Sequence, residues 1–295
     1  MTKDRFLDYI AYEKRYSQHT TEAYRSDLDQ FTEFISQQYQ FTDLTKCDHQ
    51  VIRSWIVSLM EQRQSPRTIN RKITTLKSFY RFAIKEGMME ENPMSRVIAP
   101  KTSQRLPVFV EQDSMFSLFE NIRFGEDYAG VRDRLIMEMF YATGMRLSEL
   151  IQIKQADIDT YKKMIKVTGK RNKQRIIPLT ENLVSLLQQY TDKRMEKFTG
   201  EGQESYLFLT DKGEKLYPRF VHRLVHHYLD QVTTISKRSP HVIRHTFATH
   251  MLNNGADLNA IKDILGHANL AATQVYTHNT IEKLKSIYKP SQPRA

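Results

Sequence analysis

The sequence predicts a mainly α-helical protein with one small β-sheet, divided into a helical N-terminal domain and a mixed α/β C-terminal domain. Three observations carry that expectation. Apolar residues recur at helical spacing behind capping residues over much of the chain. One segment, MIKVTGKRNKQRIIPL, places β-prone apolar runs on either side of a polar turn. Prolines interrupt the pattern between residues 90 and 107. A chain of 295 residues is long enough to bury two cores.

Along the chain, Ser17 is a candidate N-cap for a helix with Tyr24, Leu28, Phe31 and Ile35 on one face. Ser65-Pro66 opens another, with Ile69, Ile73, Leu76, Tyr80 and Ala83 inside and Gly87 as its stop. These define a small helical bundle over residues 1–89. From Glu90 to Pro107 the pattern fails, and Pro93, Pro100, Pro107, Lys101 and Arg105 suggest an extended basic linker. The second domain is expected over 108–295. Its hairpin turn holds Gly169, Lys170 and Asn172, so Lys170 stands where a long side chain reaches a ligand.

Ser239-Pro240 and Asn254-Gly255 bracket a further helix. Ile243, Phe247 and Met251 form its core-facing row, and His241, Arg244, His245 and Ala248 the neighbouring row. The charged row begins at the positive end of the helix dipole, which favours an anion. Asp257 then caps a helix with Leu258, Ile261, Ile264 and Leu265 inside and Gly266 at its end. His267 follows at once, and Asn269 caps a short helix presenting Tyr276.

Net charge is +10, and no apolar run is long enough to span a bilayer. Residues 1–100 hold 15 lysines and arginines against 13 acidic residues, so most of the excess lies in the second domain. A basic chain without a membrane segment is suited to a polyanion. The stripe Arg67, Arg71, Lys77 and Arg81 is either a basic binding face or an ordinary solvated one. The single cysteine, Cys47, excludes an internal disulfide and a thiolate metal cage. The start, MTKDRFLDYI, has no apolar signal core, so the expected compartment is the cytoplasm.

Arg146, Lys170, His241, Arg244, His267 and Tyr276 combine guanidiniums, an ammonium, imidazoles and a phenol. That combination suits a phosphodiester, with non-bridging oxygens to hold, a leaving oxygen to protonate and a phosphorus to attack. It points to DNA strand cleavage through a protein tyrosine. His241 and His245 have the spacing of a zinc pair, with His250 nearby. No glutamate follows the first histidine and an arginine lies between the pair, so no metal is expected. Glu149, three residues after Arg146 on an expected helix, could orient an active-site arginine or histidine, or form a surface ion pair. His245, beside Arg244, could support the pocket without acting in it.

TGMRLSEL, HVIRHTFATHML, LGHANLAATQVYTH, the N-terminal SQHTTEAYRSDLDQF and the ending PRA resemble the tyrosine recombinase (phage integrase) family. The likeness is greatest to its Xer-type chromosomal members and covers nearly the whole chain. It implies a helical core-binding domain and a catalytic domain forming a C-shaped clamp on double-stranded DNA. The implied catalytic set is Arg146, Lys170, His241, Arg244, His267 and Tyr276. The arginines would fork onto the non-bridging oxygens, and Tyr276 would form a 3′-phosphotyrosyl link. By resemblance Lys170 is the general acid, His241 helps accept the tyrosine proton, and His267 hydrogen-bonds a phosphate oxygen.

No cofactor is implied, because guanidiniums supply the charge a metal would bring. The family works as four protomers through a Holliday junction, here a homotetramer or a heterotetramer with a paralogous recombinase, with a DNA translocase as possible activator. The Xer type implies resolution of chromosome dimers. The alternative is an integrase or excisionase of a mobile element; such proteins often carry an arm-binding domain, and none fits before Met1. A non-catalytic DNA-binding protein would be expected to lose one of the six residues, and type IB topoisomerase activity would be a side reaction. Gln292 stands where relatives often have histidine, which bears on partner pairing.

Overall fold

The computed structural model describes residues 2–102, 108–169, 172–198 and 205–266. The chain divides into two compact units, residues 1–105 and 106–295. The first is helical: α1 (Thr2–Asp8), continued by a wider turn over Tyr9–Glu13, then α2 (Gln18–Tyr39), α3 (His49–Glu61) and α4 (Pro66–Lys85).

The expected caps are in place. Ser17 Oγ accepts from Thr20 N–H, and Ser65 Oγ from Thr68 N–H with Pro66 at the first helical position. Gly87 follows α4 with φ +69°. Leu28, Phe31, Ile35, Trp55, Ile69, Ile73, Leu76, Phe79 and Tyr80 form the core, with the Phe31 and Trp55 rings 4.7 Å apart.

One buried carboxylate ties α2 to α4. Asp27, fully buried, accepts from Arg71 (2.5 Å), Lys72 (3.1 Å) and Thr75 (2.8 Å). Arg71 is therefore a half-exposed ion-pair partner rather than a free member of the basic stripe, whereas Arg67 and Arg81 are exposed. After α4 the chain packs back on its own unit: Met94 is buried in the helical core and Asn70 Nδ2 donates to Pro100 O at 3.0 Å. Arg105 and Pro107 lie outside the described residues.

The second unit contains α5 (Gln112–Glu120), α6 (Tyr128–Thr143), α7 (Leu147–Gln152), β1 (Ile158–Asp159), β2 (Met164–Thr168), β3 (Gln174–Pro178), α8 (Glu181–Lys197), α9 (Pro218–Asp230), α10 (Pro240–Asn253) and α11 (Leu258–Leu265). Helix α6 is buried around most of its circumference and packs on α8 and α10. The expected hairpin is β2–β3, antiparallel with Val167 opposite Arg175 and Thr168 opposite Gln174. A short β1, which the sequence pattern had not suggested, extends it to an antiparallel sheet of order β1-β2-β3.

Two local expectations fail. Leu258 is 49% exposed, because the first turn of α11 overhangs the core that Ile261, Ile264 and Leu265 enter. Ser239 occupies the N-cap of α10 but its side chain makes no capping hydrogen bond.

Candidate active site

The site begins at a glycine. Gly144 ends α6 in the left-handed region, φ +58°, and a Cβ there would come within 2.4 Å of Phe247 and 2.8 Å of Leu265. Only glycine satisfies both the dihedral and the close approach. The chain then passes through buried Met145 to Arg146, which caps α7 in extended conformation with φ −78° and ψ 152°.

Arg146 is thus at the helix cap and not within a helix as expected, yet it still meets Glu149. The Glu149 carboxylate accepts from Arg146 N–H (Oε2, 2.7 Å) and from Arg146 Nη1 (Oε1, 2.7 Å). Capping geometry brings the third helical residue back over the cap, so one carboxylate fixes both backbone and side chain.

The same carboxylate receives a second guanidinium. Arg175, buried on β3 in phase with Ile177, donates Nη1 to Oε1 (2.9 Å) and Nη2 to Oε2 (2.8 Å), the parallel fork an arginine makes with a carboxylate. Its Nε donates to Ile264 O at 2.6 Å. Burial by itself would raise the Glu149 carboxyl, but the hydrogen bonds and charge of Arg175, then of Arg146, outweigh it and hold the group below its ordinary value. Removing one partner of such a buried pair strands the other charge, at about 3–5 kcal/mol.

Sequence reasoning missed Arg175. The available signal was an arginine at the inward-facing parity of a strand, where an apolar residue belongs.

Arg244 enters from α10, buried like its neighbours Val242 and Ile243. Its Nη1 donates to Gly144 O (2.6 Å), at the end of α6, and its Nη2 to Leu265 O (2.8 Å), at the end of α11. Arg146 Nη2 donates to Gly266 O at 3.3 Å. Three consecutive carbonyls, of Ile264, Leu265 and Gly266, therefore each accept from a different arginine. Helix C-termini leave carbonyls without intrahelical partners and carry partial negative charge, so cations gather there. Arg146 and Arg244 are brought together by this shared helix end.

Among the described residues, the carboxylate that Arg146, Arg175 and Arg244 share is that of Glu149. Burial first, then repulsion from Arg146 and Arg175, pulls the Arg244 pKa down to about 10. It remains charged at neutral pH, and an anion at the cluster would relieve the repulsion.

His241 is exposed on the first turn of α10. His245, partly buried, has a lowered pKa from burial and from the charge of His241. His250 belongs to the core: it is 2% exposed, its Nδ1 pairs with Tyr141 Oη at 2.9 Å, and Phe109 packs edge-on. Among the described residues no group of metal-ligating side chains assembles.

Lys170, His267 and Tyr276 lie outside the described residues, as do Asn269 and Gln292. Their chain neighbours do not. A Cβ on Gly169 would come within 3.1 Å of Glu149 Oε1, and a Cβ on Gly266 within 3.3 Å of Arg175. A second feature escaped the sequence reading: Arg219, His222, Arg223 and His226 recur along the exposed face of α9, opposite Val221, Leu224, Val225 and Tyr228.

Comparison with known proteins places this arrangement. Residues 109–283 match the phage integrase family and residues 4–87 the phage integrase N-terminal SAM-like domain. The chain is 37% identical to tyrosine recombinase XerC of Chlorobaculum parvum over 314 aligned positions, covering 98% of this chain and 94% of that protein. It is 37% identical to tyrosine recombinase XerC of Pelotomaculum thermopropionicum, covering 99% and 98%. The fold is that of the XerH site-specific recombinase bound to its palindromic difH substrate, with a TM-score of 0.71 at 22% identity over 90% of this chain and 78% of that one. No described helix is long and apolar enough to cross a membrane. Matched over both units and along nearly its whole length, the chain belongs to the phage integrase family and is a site-specific recombinase of the tyrosine type.

Proposed function

We propose that this recombinase cuts and rejoins double-stranded DNA at a defined chromosomal site and resolves chromosome dimers, working as four protomers through a Holliday junction. The single observation that carries the chemical reading is the pairing of Arg146 and Arg244 at one helix end, where their guanidiniums donate to the neighbouring carbonyls of Gly266 and Leu265. A scissile phosphate offers two non-bridging oxygens to such a pair, and charge growing on the five-coordinate phosphorus is offset there. Lysine in either position would lack the planar fork.

Tyr276 attacks phosphorus. The bond to the 5′ oxygen breaks, a 3′-phosphotyrosyl ester forms, and its reversal by another strand's 5′ hydroxyl needs no ATP. A phenol, with an ordinary pKa of about 10, is a weak nucleophile at neutral pH. His241, at the start of α10, takes up its proton while the arginines favour the phenolate. Lys170 protonates the departing oxygen, and His267 donates to a phosphate oxygen. The resemblance supports these assignments.

The exposed row Arg219, His222, Arg223 and His226 on α9 supplies cations for the DNA backbone, as do Arg67 and Arg81 on α4. The relatives named XerC support the chromosomal role. Partnership with a paralogous recombinase, activation by a translocase and a cytoplasmic location complete the proposal.

The test is a suicide-substrate assay with nicked duplexes drawn from the replication terminus region of the host chromosome. The wild-type chain forms a covalent adduct with one of them. Tyr276→Phe binds that duplex normally and forms none. An adduct that persists in Tyr276→Phe removes Tyr276 as the nucleophile.

A further inference from the structure

We propose that Arg175, which touches no reacting atom in the mechanism above, is a positioning residue for cleavage: it clamps the end of α11 to the Glu149 carboxylate and thereby sets Arg146. This deepens the reading given under Proposed function and rests on it.

Three contacts carry the inference. Arg175 Nε holds Ile264 O, the first of the three arginine-bound carbonyls at the end of α11. Its two terminal nitrogens hold both oxygens of Glu149, whose Oε1 also holds Arg146 Nη1. Its side chain lies against Gly266, and Glu149 Oε1 lies against Gly169. One buried guanidinium therefore joins the residue before Lys170, the cap residue Arg146 and the residue before His267. These elements are far apart in sequence: Arg175 is 26 residues from Glu149 and 89 from Ile264.

The chemistry of the side chain fits this use. Arginine presents donors in a rigid fork, so the carboxylate and the carbonyl are held in one fixed relation. A lysine keeps the charge that Glu149 needs but bonds through a single flexible ammonium. Arg175→Lys thus separates geometry from charge, and it guards against Arg175→Met failing to fold around an uncompensated carboxylate.

The probe is the nicked duplex that the wild-type chain cleaves, with the full-length protein throughout. Arg175→Lys binds this duplex with unchanged affinity while single-turnover adduct formation slows by about 10- to 100-fold, the cost of a misplaced reacting group. Adding Glu149→Gln to Arg175→Met slows cleavage little beyond Arg175→Met alone, because the two act as one unit. A readout independent of DNA accompanies these: in the free protein, Arg175→Lys speeds amide hydrogen exchange at residues 261–266 and 146–150 and leaves α5 and α6 unchanged.

Wild-type cleavage rates and wild-type exchange in Arg175→Lys would overturn the proposal. So would slowing that tracks weaker DNA binding or a general rise in exchange, which marks a merely structural arginine. Failure of the parent reading looks different: an adduct in Tyr276→Phe, or none with wild type, while the exchange measurement still decides whether Arg175 clamps α11.

Discussion

At the scale of the residue, the three histidines of α10 have different surroundings. His241 is exposed at the helix start, His245 is partly buried, and His250 is enclosed by Tyr141 and Phe109. Burial lowers the His250 pKa, only partly opposed by the Val110 backbone and Glu111. A base with a depressed native pKa leaves the unfolded chain binding more protons, so stability falls as pH drops below the unfolded value of about 6.5 and continues falling to the folded pKa. His245, lowered by burial too, adds a slope of the same sign. His250→Gln is therefore expected to flatten, though not abolish, the decline in urea-unfolding free energy between about pH 7 and pH 5, and to cost about 1–3 kcal/mol near pH 7.5 through the disrupted Tyr141 pair. A slope equal to that of the wild type would refute the assignment.

At the scale of the element, the ends of helices matter more than their lengths. Helices α6 and α11 both finish in left-handed glycines, Gly144 and Gly266, and turn their last carbonyls onto arginines. Gly144→Ala forces a side chain into φ +58° and against the Phe247 ring and Leu265. The backbone term is about 1–2 kcal/mol and the clash adds to it, so equilibrium unfolding should show a loss above about 2 kcal/mol. Cleavage should fall further than this loss explains, because Gly144 O orients Arg244. If the variant unfolds within about 0.5 kcal/mol of the wild type, the close approach is not what holds that turn.

The capping serines and Asp257 were legible beforehand because a cap is a contact over two or three residues: Ser17 to Thr20, Ser65 to Thr68, Asp257 to Asn259 and Ala260. The exposure of Leu258 was not, since periodicity cannot say where a core stops.

At the scale of the whole molecule, the charge of +10 is the property that acts over distance. DNA binding by the full chain should weaken by on the order of 10³-fold or more between about 50 and about 200 mM salt, as expected for several phosphate contacts. Adduct formation should be unchanged by EDTA, because guanidiniums neutralise the phosphate in the proposed mechanism. Gel-shift titration and the suicide-substrate assay measure the two; an EDTA-sensitive adduct would require a metal that the mechanism omits. The three-stranded sheet has its own part at this scale, since β3 carries buried Arg175 to the Glu149 carboxylate.

The sequence by itself determined the helical N-terminal bundle, the β2–β3 hairpin, the caps of α2, α4 and α11 and the family, because each is written in short-range periodicity or contiguous motif. It also pointed to Arg146 and Arg244 as partners in one site. Only the tertiary structure decided how they meet: through the carbonyls of Gly144, Leu265 and Gly266, with Arg146 capping α7 instead of lying within it. It alone revealed Arg175, since a strand arginine reads as a misplaced surface residue until Glu149 and Ile264 arrive beside it. The physical reason is that a buried charge is tolerable only with partners, and those partners come from chain segments that no local pattern connects.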